Sequence, residues 1–345
     1  MEGIGETAMV EKEQPEPGPM DAILKPTVGL VCTSDTHTVH GAIGERENLT
    51  LGHEIVGVVE EVGEDVEDFE PGDRVAVGAI TPDWNSDAAQ DGHPSQSNGA
   101  LGGWKFANVK DGTFAEYVHI NDADGNLAHI PDSVTDHEAA YTADMLSTGF
   151  AGAENADIPM GGTVAVFAQG PVGLMATKGA ELQGAGRIIA VETVENRKEL
   201  AREYGATDIV DFQDGDPVEQ IMELTDGEGV DAAIEALGAD ETLQDCIKVT
   251  KPGGTVSNVG YHGEGEFRKI PRAEWGVGMA EIDIVTDLCP GGGLRIRRLL
   301  RLLEQGKVDP TKMTTHEFDF EDIGEAFEMM DAKDDDIIKP LIRFD

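Results

Sequence analysis

A chain of 345 residues exceeds one ordinary hydrophobic core and fits two domains, each large enough to bury most of its apolar surface. With 39% hydrophobic residues and 43 glycines, the composition is globular and suits turn-rich α/β structure better than a helical bundle. Asp and Glu number 68 against 25 Lys and Arg, a formal net charge of -43, so neither nucleic acid nor an anionic membrane is expected as a partner.

In chain order, residues 22–25, residues 55–59 and, after the turn Pro71-Gly72-Asp73, residues 74–77 read as short strands, predicting an all-β start. Residues 81–112 are polar and aperiodic and predict a long loop or lobe. Residues 114–120 resume a strand, and residues 145–152 read as a helix passing between regions. From Gly162 strands and helices alternate. Residues 163–167, 187–191, 208–210, 230–234 and 254–259 predict strands, with helices over 172–183 and 197–204. That alternation predicts a doubly wound parallel sheet with right-handed crossovers. Residues 294–305 form an amphipathic helix, and residues 340–344 a last strand that rejoins the first domain.

The acids are scattered, as in Glu60-Glu61, Glu64-Asp65, Glu67-Asp68 and Asp334-Asp335-Asp336, so the whole surface is acidic and no single tail carries the charge. Exposed charges are screened only over roughly 10 Å at about 0.1 M salt. Self-repulsion therefore predicts a halophilic protein from a high-salt cytoplasm, the plainer alternative being an ordinary soluble acidic enzyme. Three distant cysteines, Cys32, Cys246 and Cys289, indicate no disulfide framework and fit a reducing compartment. The first residues show no signal-peptide pattern and no apolar run reaches about 18 residues, so a cytoplasmic protein is expected.

Two constellations carry chemistry. Ala168-Gln169-Gly170-Pro171-Val172-Gly173 follows a strand and opens a helix, as phosphate binding at a helix N-terminus requires. Ala168 stands where the first glycine of the fingerprint serves the tight turn. Gly170 still allows close approach to a pyrophosphate, and Gly173 allows close helix packing. Glu192, nineteen residues beyond Gly173, ends the second strand, where an acid binds the adenosine ribose hydroxyls and repels a 2′-phosphate; an ordinary solvated acid is the alternative. Cys32 and, in Leu51-Gly52-His53-Glu54, His53 are donors that zinc favours, though a buried thiol and a core histidine are commoner singly. Asp144, between apolar residues at a predicted helix start, is either an N-cap or a carboxylate that needs a cation.

Cys32 with His53-Glu54, the turn Pro71-Gly72-Asp73-Arg74-Val75 and the strand-loop-helix at Gly170 together resemble the zinc-dependent medium-chain dehydrogenases. More narrowly, Cys32-Thr33-Ser34-Asp35, Ala79-Ile80-Thr81-Pro82-Asp83-Trp84, Gly103-Trp104-Lys105-Phe106, Asn121-Asp122-Ala123-Asp124 and Leu288-Cys289-Pro290-Gly291-Gly292 are similar to the bacterial secondary alcohol dehydrogenases. The resemblance implies an α/β fold: a GroES-like β-rich catalytic domain over residues 1–147 and 289–345 around a Rossmann domain over 148–288, in a homotetramer. It implies one catalytic Zn²⁺ on Cys32, His53 and Asp144, with Glu54 an occasional ligand. A structural zinc is not expected, because no cysteine lies between Cys32 and Cys246.

Ser34 would relay the substrate proton, with His37 the next station or a plain surface histidine. Ala79, Ile80 and Trp104 match a small apolar pocket for short secondary alcohols or ketones, with Tyr261 and Leu288 at its border. The resembled enzymes use NADP and carry Gly-Ser-Arg after the second strand. Glu192-Thr193-Val194 replaces that run here, with Arg197 flanking the ribose, so NAD is the expected cofactor. A medium-chain polyol or sugar dehydrogenase, or an NADP-preferring alcohol dehydrogenase, is the near alternative, and a zinc-free nucleotide-binding protein the distant one.

Overall fold

The computed structural model describes residues 1–97, 110–263, 265–333 and 336–344. Trp104 lies outside them. In chain order the elements are β1 (Ala22–Leu30), α1 (Thr33–Val39), β2 (Ile55–Val62), β3 (Arg74–Val77), α2 (Asp87–Gln90), β4 (Val118–Ile120), α3 (Ala123–Asn126), β5 (Leu127–His129), α4 (Asp136–Ala140) and α5 (Met145–Asn155). There follow β6 (Thr163–Phe167), α6 (Pro171–Gln183), β7 (Arg187–Val191), α7 (Glu195–Glu203), β8 (Asp208–Val210), α8 (Pro217–Leu224), β9 (Val230–Glu235), α9 (Asp240–Val249), β10 (Thr250–Asn258) and β11 (Asp283–Thr286). The chain ends with α10 (Gly293–Glu304), β12 (Thr314–Asp319), α11 (Ile323–Ala332) and β13 (Lys339–Arg343). Two compact units result, Met1–Ser147 with Cys289–Asp345, and Thr148–Leu288.

The first unit is built on a seven-stranded sheet in the order β12-β13-β1-β2-β3-β5, with β4 also pairing β1. All pairs are antiparallel except β12 with β13. Alternating apolar residues of these strands, such as Leu24, Ile55, Val59, Val75, Val77 and Leu127, close one core. Pro26 cannot donate to a ladder, and the register of β1 on β2 shifts beside it. The strand expected over 114–120 shrinks to β4, because Thr113 and Phe114 spend their N–H groups on Gly52 O and Leu51 O. The described part of the loop expected over 81–112 contains α2 and a turn of 3₁₀ helix at Pro94–Gln96. It is tied down by Ser97 Oγ to Asp83 N at 3.1 Å and by Trp84 Nε1 to Asn126 Oδ1 at 3.1 Å.

The second unit has a six-stranded parallel sheet in the order β11-β10-β9-β6-β7-β8. Taking β6 as the first strand, this is the doubly wound 3-2-1-4-5-6 arrangement, whose chain reverses direction of addition between β6 and β9. Ligands of such sheets bind beyond the carboxyl ends of the strands at that switch point. Fully buried Ala165, Ile189, Ala233, Ile247 and Val256 form its core, as continuous apolar runs in a sheet covered on both faces require.

Candidate functional site

In the first unit, Cys32 lies at the start of α1, His53 and Glu54 immediately before β2, and Asp144 immediately before α5. Gly52 makes the turn that presents His53. Its φ is +95°, and a Cβ there would stand 2.6 Å from the ring of Phe114, so no other residue fits. Asp35 ties two of these pieces together: its Oδ2 accepts from Cys32 N at 2.9 Å and its Oδ1 faces His53 Nδ1 at 3.1 Å. A carboxylate accepts only, so Nδ1 carries a proton and Nε2 points into the cluster, where a metal would take the place of a second proton. There Nε2 lies 3.5 Å from Asp144 Oδ2, 3.7 Å from Glu54 Oε1 and 3.3 Å from Ser34 Oγ.

One donor atom from each of Cys32, His53, Glu54 and Asp144 can be chosen so that all four lie within 4.8 Å of one another. Ligands of a tetrahedral zinc stand about 3.3–3.8 Å apart at the usual bond lengths, so the residues fit that ion with little adjustment. Electrostatics agree. Burial opposes a charge on His53, yet Asp35, with hydrogen bonds to Asp144 and Cys32, outweighs it and raises the imidazole pKa well above its ordinary value. The cluster therefore attracts positive charge at Nε2. Burial, against the pull of Lys339 and with the addition of Asp144, pushes the Glu54 carboxyl up to about 7. Glu54 Oε2 is buried and has no hydrogen-bond partner among the described residues.

Lys339 is one of the residues that sequence reasoning missed. It is fully buried and donates from Nζ to Glu54 Oε1 at 2.5 Å. Despite burial, which lowers it, its pKa is raised by Cys32, Glu54 and Asp144. The signal was present: a lone lysine inside the apolar run Ile337-Ile338-Lys339-Pro340-Leu341-Ile342 demands a buried carboxylate. Ala79 and Ile80 are buried in the same unit, and Ala79 N donates to Ala143 O at 2.9 Å, next to Asp144. His37 is exposed on α1, one turn beyond Ser34.

In the second unit, Gly170 caps the 13-residue α6 with Pro171 and Val172 in its first turn, and a Cβ on Gly170 would meet no described atom within 4 Å. That leaves the helix N-terminus open to a phosphate. At Gly173 a Cβ would stand 1.9 Å from Ala168 O, so only glycine lets the helix approach the strand. Glu192 is buried just after β7 and accepts from Gln169 N at 3.1 Å, Thr193 N at 2.8 Å and Val194 N at 3.0 Å. Arg197 Nη1 lies 3.9 Å from Glu192 Oε2. Tyr261 is exposed after β10, and Leu288 is half-buried at the unit's last residue.

Ala168 itself has φ +69°, a left-handed conformation that favours glycine. The tight turn is therefore made under strain. Ala168→Gly is expected to stabilise the protein by about 0.5–1 kcal/mol, the relief of strain exceeding the entropy added to the unfolded chain. A thermal melt in concentrated KCl reads this, and an unchanged or lower midpoint contradicts it.

Residues 171–304 match the family described as zinc-binding dehydrogenase, and residues 18–132 the alcohol dehydrogenase GroES-like domain. An NADP-dependent isopropanol dehydrogenase of Thermoanaerobacter brockii is 54% identical over 344 residues, covering 99% of this chain and 98% of the relative. The enzyme of the same description from Clostridium beijerinckii is 50% identical over the same shares of the two chains. Among solved structures, an alcohol dehydrogenase of a Thermus species superposes with a TM-score of 0.90 at 29% identity, covering 100% of this chain and 99% of that one. A zinc-dependent alcohol dehydrogenase of Streptococcus gives 0.88 at 32% identity, covering 99% and 96%. With a β-rich unit carrying a Cys-His-Glu-Asp cluster and a parallel dinucleotide-type sheet, the chain belongs to the zinc-dependent medium-chain alcohol dehydrogenases.

Proposed function

We propose that this enzyme interconverts small secondary alcohols and ketones with NAD(H), using one zinc on Cys32, His53 and Asp144. The convergence of these three residues with Glu54 carries the reading. The catalytic domain is assigned to residues 1–147 and 289–345 and the cofactor domain to 148–288. Zinc on these residues would supply Lewis acidity toward an alcohol or carbonyl oxygen, and a nicotinamide cofactor held at Gly170 and Glu192 would supply the hydride chemistry. The protein's own groups do the rest. Asp35 fixes the tautomer and direction of His53, and Lys339 holds Glu54 back by one oxygen. Ser34, 3.3 Å from the inward-facing nitrogen of His53, takes the substrate's hydroxyl proton and passes it outward along α1, where His37 is exposed. Ala79 and Ile80 give the substrate apolar walls, and Trp104, Tyr261 and Leu288 are proposed as substrate residues on the resemblance alone. No structural zinc is assigned, since only three cysteines are available.

NAD is preferred in this reading although the relatives named above are NADP-dependent. Glu192, whose carboxylate stands at the end of β7, supports it. The decisive experiment compares 2-propanol and 2-butanol with glucose and other polyols, alongside zinc analysis. Turnover of the secondary alcohols with about one zinc per chain is expected. Preferential oxidation of glucose overturns the substrate, and activity in protein holding well under one zinc overturns the mechanism.

The acidic surface supports a halophilic, cytoplasmic enzyme. No helix among the described residues is long and apolar enough to cross a membrane. The melting midpoint is expected to rise by at least about 10 °C between roughly 0.2 and 2 M KCl, as counterions screen the self-repulsion. A midpoint independent of KCl contradicts it. A homotetramer is proposed as well, supported by β11 being an edge strand of its sheet among the described residues and by exposed Phe267, Ile270, Val277 and Met279 in the segment before it. Sedimentation in KCl distinguishes it from a monomer.

A further inference from the structure

The chain leaves the first unit between Ser147 and Thr148 and re-enters it between Leu288 and Cys289. One side chain of that unit holds both ends of the excursion. Arg295, in the first turn of α10, donates from Nη2 to Ser147 O at 2.8 Å and from Nε to Ser147 Oγ at 3.1 Å. Ser147 Oγ in turn donates to Pro290 O at 2.6 Å. Ser147 is fully buried, so each of these bonds replaces one that water cannot make. A guanidinium presents its donors as a rigid planar fork and can read a carbonyl and a hydroxyl together, which an ammonium cannot do in fixed geometry.

The base of the fork is rigid. Gly293 at the start of α10 lies so close to Leu127 that a Cβ would stand 2.3 Å from its carbonyl oxygen, and Ile296, Leu299 and Leu300 are buried. The far end is Asp144, three residues before Ser147. Other bonds hold the residues before Asp144 as well: Thr142 N bonds back to Ala139 O at 2.9 Å and Ala143 N to Ala140 O at 3.2 Å. Leu146 N bonds back to Tyr141 O at 3.0 Å, and Ala143 O accepts from Ala79 N at 2.9 Å. Cys289, beside Pro290, is held by Ser95 Oγ to its carbonyl at 3.0 Å and reaches Ala143 O with its thiol at 3.7 Å. These bonds around Asp144 thus converge on Ser147, Ala143 and the Cys289-Pro290 segment, and within this set those from Arg295 alone carry a formal charge.

We propose that Arg295 is a positioning residue for the metal centre: by fixing Ser147 it sets the turn that holds the Asp144 carboxylate within reach of Cys32 and His53. The inference rests on the assignment of those three residues as zinc ligands. It separates zinc retention from overall stability, because α10 stays seated on β5 whether or not the fork is made.

The test compares the full-length wild type, Arg295→Gln, Arg295→Lys and Ser147→Ala in concentrated KCl, by zinc competition against a chromogenic chelator and by the visible spectrum of the cobalt-substituted protein. Arg295→Gln is expected to weaken zinc by about 10–100-fold, the usual effect of losing a group that orients a ligand, and to alter the cobalt bands. Arg295→Lys is expected to resemble it, since an ammonium cannot hold both oxygens. Ser147→Ala, which keeps the carbonyl bond, is expected to lose less. Wild-type zinc affinity and an unaltered cobalt spectrum in Arg295→Gln overturn the proposal. If that variant does not fold, unchanged affinity and spectrum in Ser147→Ala overturn it equally. An equal fall in melting midpoint of zinc-free and zinc-loaded Arg295→Gln, with affinity intact, assigns the fork to stability alone and also overturns it. A wild type that fails to bind zinc at all overturns the ligand assignment instead.

Discussion

Asp144→Asn is expected to lower kcat/KM for 2-propanol by roughly three orders of magnitude or more, and to leave the purified protein largely without zinc. The ion's Lewis acidity is worth several kcal/mol of transition-state stabilisation, and each 1.36 kcal/mol is a factor of ten. Asparagine keeps the shape of the side chain and removes the charge. That charge is what makes the cluster attractive to a cation, since Asp144 Oδ2 stands 3.5 Å from the inward nitrogen of His53 and Lys339 already partly neutralises Glu54. Asp144→Cys should restore most of the zinc and part of the rate, because a thiolate returns both the donor and the charge. Zinc content by elemental analysis and steady-state kinetics in KCl check the pair. Full zinc occupancy and near wild-type kcat/KM in Asp144→Asn would remove Asp144 from the ligand set, leaving Glu54 as the third donor.

The contrast between Asp144 and its neighbours shows what could be read from sequence. Cys32 and His53 sit in short runs that name zinc chemistry by residue type, but Asp144 is 91 residues beyond His53, and only the fold joins them. The parallel strands were legible because a strand buried on both faces must be a continuous apolar run, and β6, β7 and β8 fall at the expected residues. The strand expected over 114–120 was longer than β4, because alternation says which residues suit a strand and not which partner takes their N–H groups. Three supports of the site were missed for related reasons. Asp35 acts through its two oxygens on a backbone N–H and a ring nitrogen brought together only by the turn at Gly52. Lys339 pairs with a residue 285 positions away. Arg295 grips a backbone carbonyl, and a carbonyl has no residue type to read.

Exchanging the three residues after β7, Glu192→Gly with Thr193→Ser and Val194→Arg, is expected to move the cofactor preference from the NAD proposed above to NADP. The wild type should favour NAD by on the order of 100-fold in kcat/KM, because setting a 2′-phosphate against a buried carboxylate juxtaposes like charges, which costs several kcal/mol. Burial matters to that number. Glu192 is only 5% exposed, so its charge is little screened even in molar salt, whereas the scattered surface acids are screened almost completely. The same carboxylate accepts three backbone N–H groups, from Gln169, Thr193 and Val194. Removing it leaves those donors to water or to the incoming phosphate, so the variant should lose about 1–3 kcal/mol of stability without cofactor and regain part of it with NADP bound. Glu192→Gln alone should raise the efficiency with NADP by about tenfold, since it deletes the repulsion and supplies no cation. Kinetics with both cofactors, and melts with and without each, read these effects. A wild type with the higher kcat/KM for NADP would mean that the hydrogen bonds from Gln169, Thr193 and Val194 use the carboxylate for the turn alone, and that Arg197, 3.9 Å from it, receives the 2′-phosphate.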